Sequence, residues 1–227
     1  MILLGEGKDE EAFFEAFLKH LRIGSEVQII QCQGKDNIPG FIQNLPKNDF
    51  FKECRTFTVG ITRDADTVQE NQGSVFRQSS GAPERVFESL CTALQKAQLP
   101  TPARPGEVAV GEVVVDPDVS RVIVKVGAFI FPDNHNNGML EDLCLEAIAS
   151  RPETECLDQF FACAGKNAGM EPGIPAKARV QAWLALQKHS DLKLGRAALR
   201  HCWPFDQSAF AGLKHFICQL FGECASA

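Results

Sequence analysis

Three carboxylates in this chain stand where a fold could gather them. Glu6 lies between two glycines in Gly5-Glu6-Gly7-Lys8-Asp9-Glu10, directly after the apolar run Ile2-Leu3-Leu4. Asp64 and Asp66 follow a second apolar run, Thr58-Val59-Gly60-Ile61. If both runs are neighbouring strands of one parallel sheet, their ends bring Glu6, Asp64 and Asp66 around one point. Side chains alternate along an extended chain, so the aspartates of a DxD spacing point the same way. Carboxylates gathered like this need a cation, and hard oxygen ligands suit Mg²⁺ or Mn²⁺. Such an ion neutralises developing charge on a phosphate and activates water, and a second ion about 4 Å away stabilises the leaving oxygen. A DxD alone is weak, because turns favour aspartate, and Glu6 alone reads equally as a helix-terminal acid. The joint pattern of strand, GEGKDE and helix, then strand, DAD and loop, carries the signal.

The flanking elements must do the positioning. After Gly7 the spacing of Phe13, Ala16, Phe17 and Leu21 predicts a helix, with Asp9 and Glu10 in its first turn, where acids suit the dipole. Val27–Cys32 reads as a second strand, 37–45 as a short helix with Pro39 in its first turn, and Phe57–Ile61 as a third strand. This βαβαβ order implies parallel strands, whose carboxyl ends are where open α/β sheets bind ligands. Residues 67–82 are polar and rich in Gly and Ser, and read as a mobile loop beside the aspartates. A helix starting at Pro83 carries Val86, Leu90, Ala93 and Leu94 on one side. Glu107–Val115 and Arg121–Val126, parted by Asp116-Pro117-Asp118, read as a hairpin. Ala128–Phe131 reads as a further strand ending at Asp133, a fourth acid on the same edge. A helix then begins after Gly138, with Glu141 and Asp142 in its first turn. The remainder is read as helical over Glu153–Cys163, Pro175–Lys188 and Gln207–Phe221.

These residues carry a resemblance. Ile2 to Asp9, followed by Asp64-Ala65-Asp66, resembles the Toprim domain of topoisomerases, DnaG-type primases, OLD-type nucleases and small ribosomal-RNA maturases. The likeness covers about residues 1–135, and the GEGKD segment is its more specific half. The stretch from Phe129 to Leu143 further resembles a group of stand-alone, uncharacterised prokaryotic Toprim-like proteins. The resemblance implies a compact parallel sheet flanked by helices that binds Mg²⁺. Glu6 would be a metal ligand or general acid/base, Asp64 and Asp66 metal ligands, and Asp9 a residue that orients the glutamate. OLD-type nucleases hold a second metal with further acids. Glu141 and Asp142, with Asp133 behind them, are the candidates here, although no second-metal motif matches residue by residue. Helix capping explains Glu141 and Asp142 equally well. With no tyrosine in the chain, the tyrosyl–phosphate chemistry of a topoisomerase is excluded. The lack of a zinc module argues against a primase.

Composition sets the bounds. A chain of 227 residues with 44% hydrophobic residues can bury a sizeable core. No run reaches the roughly 18 apolar residues of a membrane span, and no basic leader precedes the first strand; the chain is expected to be cytoplasmic. Its nine cysteines show no paired metal-ligand spacing and are expected to be small core hydrophobes. The net charge of −6 argues mildly against a tight nucleic-acid binder. Between Ile174 and His201, however, Lys177, Arg179, Lys188, Lys193, Arg196 and Arg200 face only Asp191 in acid. Lys8, at the start of the first helix, and Lys177 are the candidates to hold a phosphate, with a solvated surface as the plainer explanation. His135 reads as an ordinary loop histidine, with proton shuttling or metal binding as the alternatives. Trp183 and Trp203 are expected in the core, and Trp203-Pro204-Phe205 is also a candidate exposed contact.

The expected molecule is therefore a Toprim-like α/β domain over 1–150, with a β-hairpin insertion and a helical extension over 151–227 packed on it. The expected function is metal-dependent phosphodiester hydrolysis of DNA or RNA. Two rivals stay open. One is a non-catalytic Mg²⁺-binding module for nucleotide or nucleic-acid recognition in a larger complex or homo-oligomer. The other is a phosphoryl-transfer enzyme acting on a small phosphorylated metabolite.

Overall fold

Strand β1 (Ile2–Gly5) is buried at all four positions, as a central strand covered on both faces must be. In the computed structural model, which describes residues 1–24, 26–65, 82–116, 120–168, 175–189 and 191–222, it lies between β2 (Gln28–Gln31) and β3 (Thr56–Asp64). The sheet is completed by β5 (Ser120–Phe131) and β4 (Val108–Asp116), in the order β2-β1-β3-β5-β4. All neighbours are parallel except β4 and β5. The fold is thus α/β, with a mixed, mostly parallel five-stranded sheet flanked by helices.

Two departures from the sequence reading bear on the site. First, β3 does not stop at Ile61. It continues to Asp64, which pairs with Phe131 of β5, so Asp64 is the last rung of the strand rather than the start of a loop. Second, the hairpin is not an insertion. Its second arm and the run Ala128–Phe131 are one twelve-residue strand that passes through Gly127 and forms the fourth parallel strand. Asp66 and nearly all of the polar segment 67–82 lie outside the described residues.

Alternation divides the core into two layers. Ile2, Leu4, Val59, Ile61, Val124, Val126, Ala128 and Ile130 face one side. There they meet α2 (Ile38–Asn44) and α4 (Ala82–Lys96), with α3 (Asp49–Glu53) contributing Phe51. Leu3, Phe129 and Phe131 face the other, covered by α1 (Lys8–His20) and α5 (Leu140–Ala147). The same layer takes in the later helices. These are α6 (Pro152–Ala168), α7 (Ala176–Ala185), α8 (Leu194–Leu199) and α9 (Ala211–Phe221). The short helices α3 and α8 have no counterpart in the sequence reading. On this side Gly60 and Gly127 pair in register, and a Cβ on either would meet Leu220 or Phe216 of α9 at 2.7 Å. The two glycines therefore let α9 seat directly on the sheet.

Trp183 and Trp203 stack at 4.8 Å and, with Phe205, are buried, so Trp203-Pro204-Phe205 is core and not an exposed contact. The cysteines do not behave as one class. Cys32 and Cys144 are buried, Cys156 and Cys163 are exposed, and Cys218 is disulfide-bonded. Among the described residues no helix is long and apolar enough to cross a membrane.

Candidate functional site

Glu6 follows the last residue of β1, and the register Leu4↔Ile61 carries it to the level of Arg63 near the end of β3. Its carboxylate turns toward that strand. Oε1 accepts the Arg63 Nε–H at 3.0 Å and the Asp64 amide at 3.3 Å. Arg63 is 8% exposed, and a guanidinium buried so far needs a carboxylate beside it. Both bonds end on Oε1, which leaves Oε2 as the oxygen that would act on a cation or a water proton.

Glu10 completes the group from behind. It is the third residue of α1, and its Oε2 accepts the Glu6 and Gly7 amides, capping donors that the helix leaves open at its start. The side chain fits because Gly5 has no Cβ, which would lie 2.8 Å from Glu10 Oε2. Glu10 is 7% exposed. Burial first, then the negative fields of Asp64 and Glu6, hold its pKa well above the ordinary glutamate value against those two amide bonds. At the end of β2, burial and then the charges on Glu10 and Glu6 push the Cys32 thiol up to about 11.

The Asp64 carboxylate turns to α5. Its Oδ1 accepts the Leu140 amide at 3.0 Å, so it sits at the N-terminus of α5, where partial positive charge favours an anion. Asp142 caps the same turn through the Met139 amide at 2.8 Å. Burial raises its pKa against that bond. Glu141 feels the charges of Asp142 and Asp9. Burial above all lifts its pKa, and those charges add to this, while its own amide and the Lys177 charge pull it down. Asp9 in turn accepts the Gly195 amide of α8 at 3.4 Å. A Cβ on Gly195 would lie 2.3 Å from the Asp9 carbonyl oxygen, so α8 approaches α1 as closely as a glycine allows.

The structure thus brings Glu6 and Asp64 together and places Asp9, Asp142 and Lys177 within electrostatic reach of Glu141. Asp133 is committed to its own loop. Its carboxylate accepts the His135 and Asn136 amides and the Asn136 side chain. Burial alone would raise its pKa, but those bonds and the His135 charge outweigh it and hold the group low. Lys8 and Lys177 are exposed. Arg179 pairs with Asp158 and lies over the Phe161 ring. Arg63 and Glu10 are the site residues that the sequence reading passed over. An arginine two residues after an apolar run, and a glutamate three residues after Gly7, were the signals available.

The donor set is all oxygen, which fits a hard cation. Among the described residues no three His, Cys, Asp or Glu side chains form a ready-made metal cage. With Asp66 outside those residues, the set of Glu6, Asp64 and Asp66 is incomplete there. Residues 1–222 match the family model described as a protein of unknown function (DUF3226), and the chain belongs to that family. No curated protein and no solved structure matches the chain.

Proposed function

We propose that this member of the DUF3226 family is a Mg²⁺- or Mn²⁺-dependent phosphodiesterase that hydrolyses nucleic acid at the carboxyl edge of a Toprim-like sheet. The observation that carries this reading is the approach of Glu6 Oε1 to the Asp64 amide, 3.3 Å across a separation of 58 residues. It sets the ends of the two motifs side by side, and the charges of Glu6 and Asp64 both act on Glu10. The ion, when bound, would neutralise charge on the phosphate and lower the pKa of a bound water. Asp64 and Asp66 are its proposed ligands. Glu6, fixed by Arg63 and the Asp64 amide, offers its second oxygen as a ligand or as the base that takes the proton of the attacking water. Asp9, Glu141 and Asp142 are the acids available to a second ion, with Asp133 set apart by its own turn. Lys8 and Lys177 would hold the scissile strand's phosphates, DNA or RNA.

The test is cleavage of single- and double-stranded DNA and RNA with Mn²⁺. Asp64→Asn keeps an acceptor for the Leu140 amide, and Glu6→Ala removes the carboxylate. Each is expected to lower cleavage by at least about 100-fold while far-UV circular dichroism stays unchanged. Wild-type rates in both variants overturn the proposal. One observation favours a second reading, a Mg²⁺-binding recognition module without turnover. The Glu6 carboxylate already carries the Arg63 guanidinium at 3.0 Å, and an engaged carboxylate is a weaker ligand. Calorimetric Mg²⁺ binding with no cleavage of any nucleic acid would select that reading.

A further inference from the structure

We propose that the cavity between the C-terminal ends of α7 and α8 is a binding site for a phosphate-bearing anion. It is an open pocket of about 600 Å³ lined by Arg151, Lys188, His189, Arg200 and His201, with Leu192 in its apolar part. That volume is in the range of small-ligand sites. Among the described residues no carboxylate lines it, in a chain whose net charge is −6.

A plainer account is that two helix C-termini simply gather cations. Each helix end carries about half a negative charge, so α7 and α8 together offset about one of the three permanent positive charges. Glu153, 3.6 Å from Arg151, offsets another at most, and as a half-exposed pair it contributes little. A positive surplus remains among the groups that line the cavity. The cavity is also ordered in advance. The Arg151 guanidinium lies 5.7 Å over the Trp183 ring, and Trp183 is fully buried against Trp203. A stacked arginine presents its donors in a fixed fork suited to phosphate oxygens. The site does not depend on the carboxylate edge and does not rest on the hydrolysis proposed above.

Trp183 and Trp203 are the only tryptophans in the chain, so intrinsic fluorescence reports on this cavity. The experiment titrates the full chain with inorganic tripolyphosphate by fluorescence and calorimetry, and with adenosine triphosphate by calorimetry alone. Saturable binding of tripolyphosphate with a fluorescence change is expected. Equal affinity for the two probes assigns the site to the phosphate tail, and tighter binding of the nucleotide adds its nucleoside to the ligand. The double variant Lys188→Glu/Arg200→Glu should bind at least about tenfold more weakly. Lys52→Glu, on α3, should bind within about twofold of wild type, as should Glu6→Ala. The proposal is overturned if wild type binds neither probe at about 1 mM, or if Lys52→Glu weakens binding as much as the double variant does.

Discussion

Glu10 is a carboxyl group whose ionisation the fold opposes. Burial, then Asp64 and Glu6, raise its folded pKa, while in the unfolded chain it titrates as an ordinary glutamate. Between those two values the folded state holds the proton that the unfolded state has lost, so stability falls as pH rises through the window. The contribution is largest below the ordinary glutamate range and is lost as pH climbs through the raised value. Glu10→Gln keeps an acceptor for the Glu6 amide and removes the charge. In chelator-treated protein, urea midpoints across pH 4 to 8 should therefore fall less in Glu10→Gln than in wild type; identical profiles would contradict this. None of this was legible from the sequence, where Glu10 read as a first-turn acid suited to the dipole. Glu10 is a first-turn acid, and what that reading left out is the missing Cβ of Gly5, which admits the side chain beneath Glu6. Glu6 and Asp64 were legible because each ends an apolar run. Arg63 was not, because nothing in a linear pattern says that a cation just after such a run will meet an acid 57 residues away.

At the scale of elements, the site rests on how closely helices approach the sheet and one another. The pair Gly60 and Gly127 is the test case for the sheet. On Gly127 a Cβ would lie 2.7 Å from Phe216 and 3.2 Å from Leu220, both 1% exposed, with no room to yield. Gly127→Val should cost roughly 1–3 kcal/mol as overpacking, or a melting temperature lower by roughly 2–12 °C for a chain of this size. An unchanged melting temperature would mean that α9 is not seated as described. Because the glycine pair lies in mid-strand, cleavage per folded molecule should survive. The order of β1, α1, β2 and β3 was legible from apolar runs and Gly7, and the apolar face of α5 from its spacing. The sheet position of the hairpin was not. Arg121–Val126 and Ala128–Phe131, read as two strands, are one strand through Gly127, whose missing side chain is what α9 requires. Nor were α3 and α8, whose five and six residues are too short to show a period.

For the whole molecule, folding gathers charges that the unfolded chain keeps apart. The charges of Asp64 and Glu6 oppose the ionisation of Glu10, and those of Asp142 and Asp9 oppose that of Glu141. A cation that binds the carboxyl edge must favour the folded state, since the unfolded chain offers no such concentration of acid. At a Mg²⁺ or Mn²⁺ concentration tenfold above its dissociation constant the gain is about 1.4 kcal/mol. That is a rise of roughly 3–6 °C in melting temperature for a chain of this length. Glu6→Ala and Asp64→Asn should each lose most of that rise, whereas Lys188→Glu/Arg200→Glu should keep it. The comparison separates binding from catalysis. A rise without cleavage fits the recognition module, a rise with cleavage fits the phosphodiesterase, and no rise with either ion removes the metal from both. Sodium at matched ionic strength is the control, because simple screening of like charges would stabilise wild type and variants alike. Only a divalent effect that vanishes with Glu6 places the ion at the carboxyl edge.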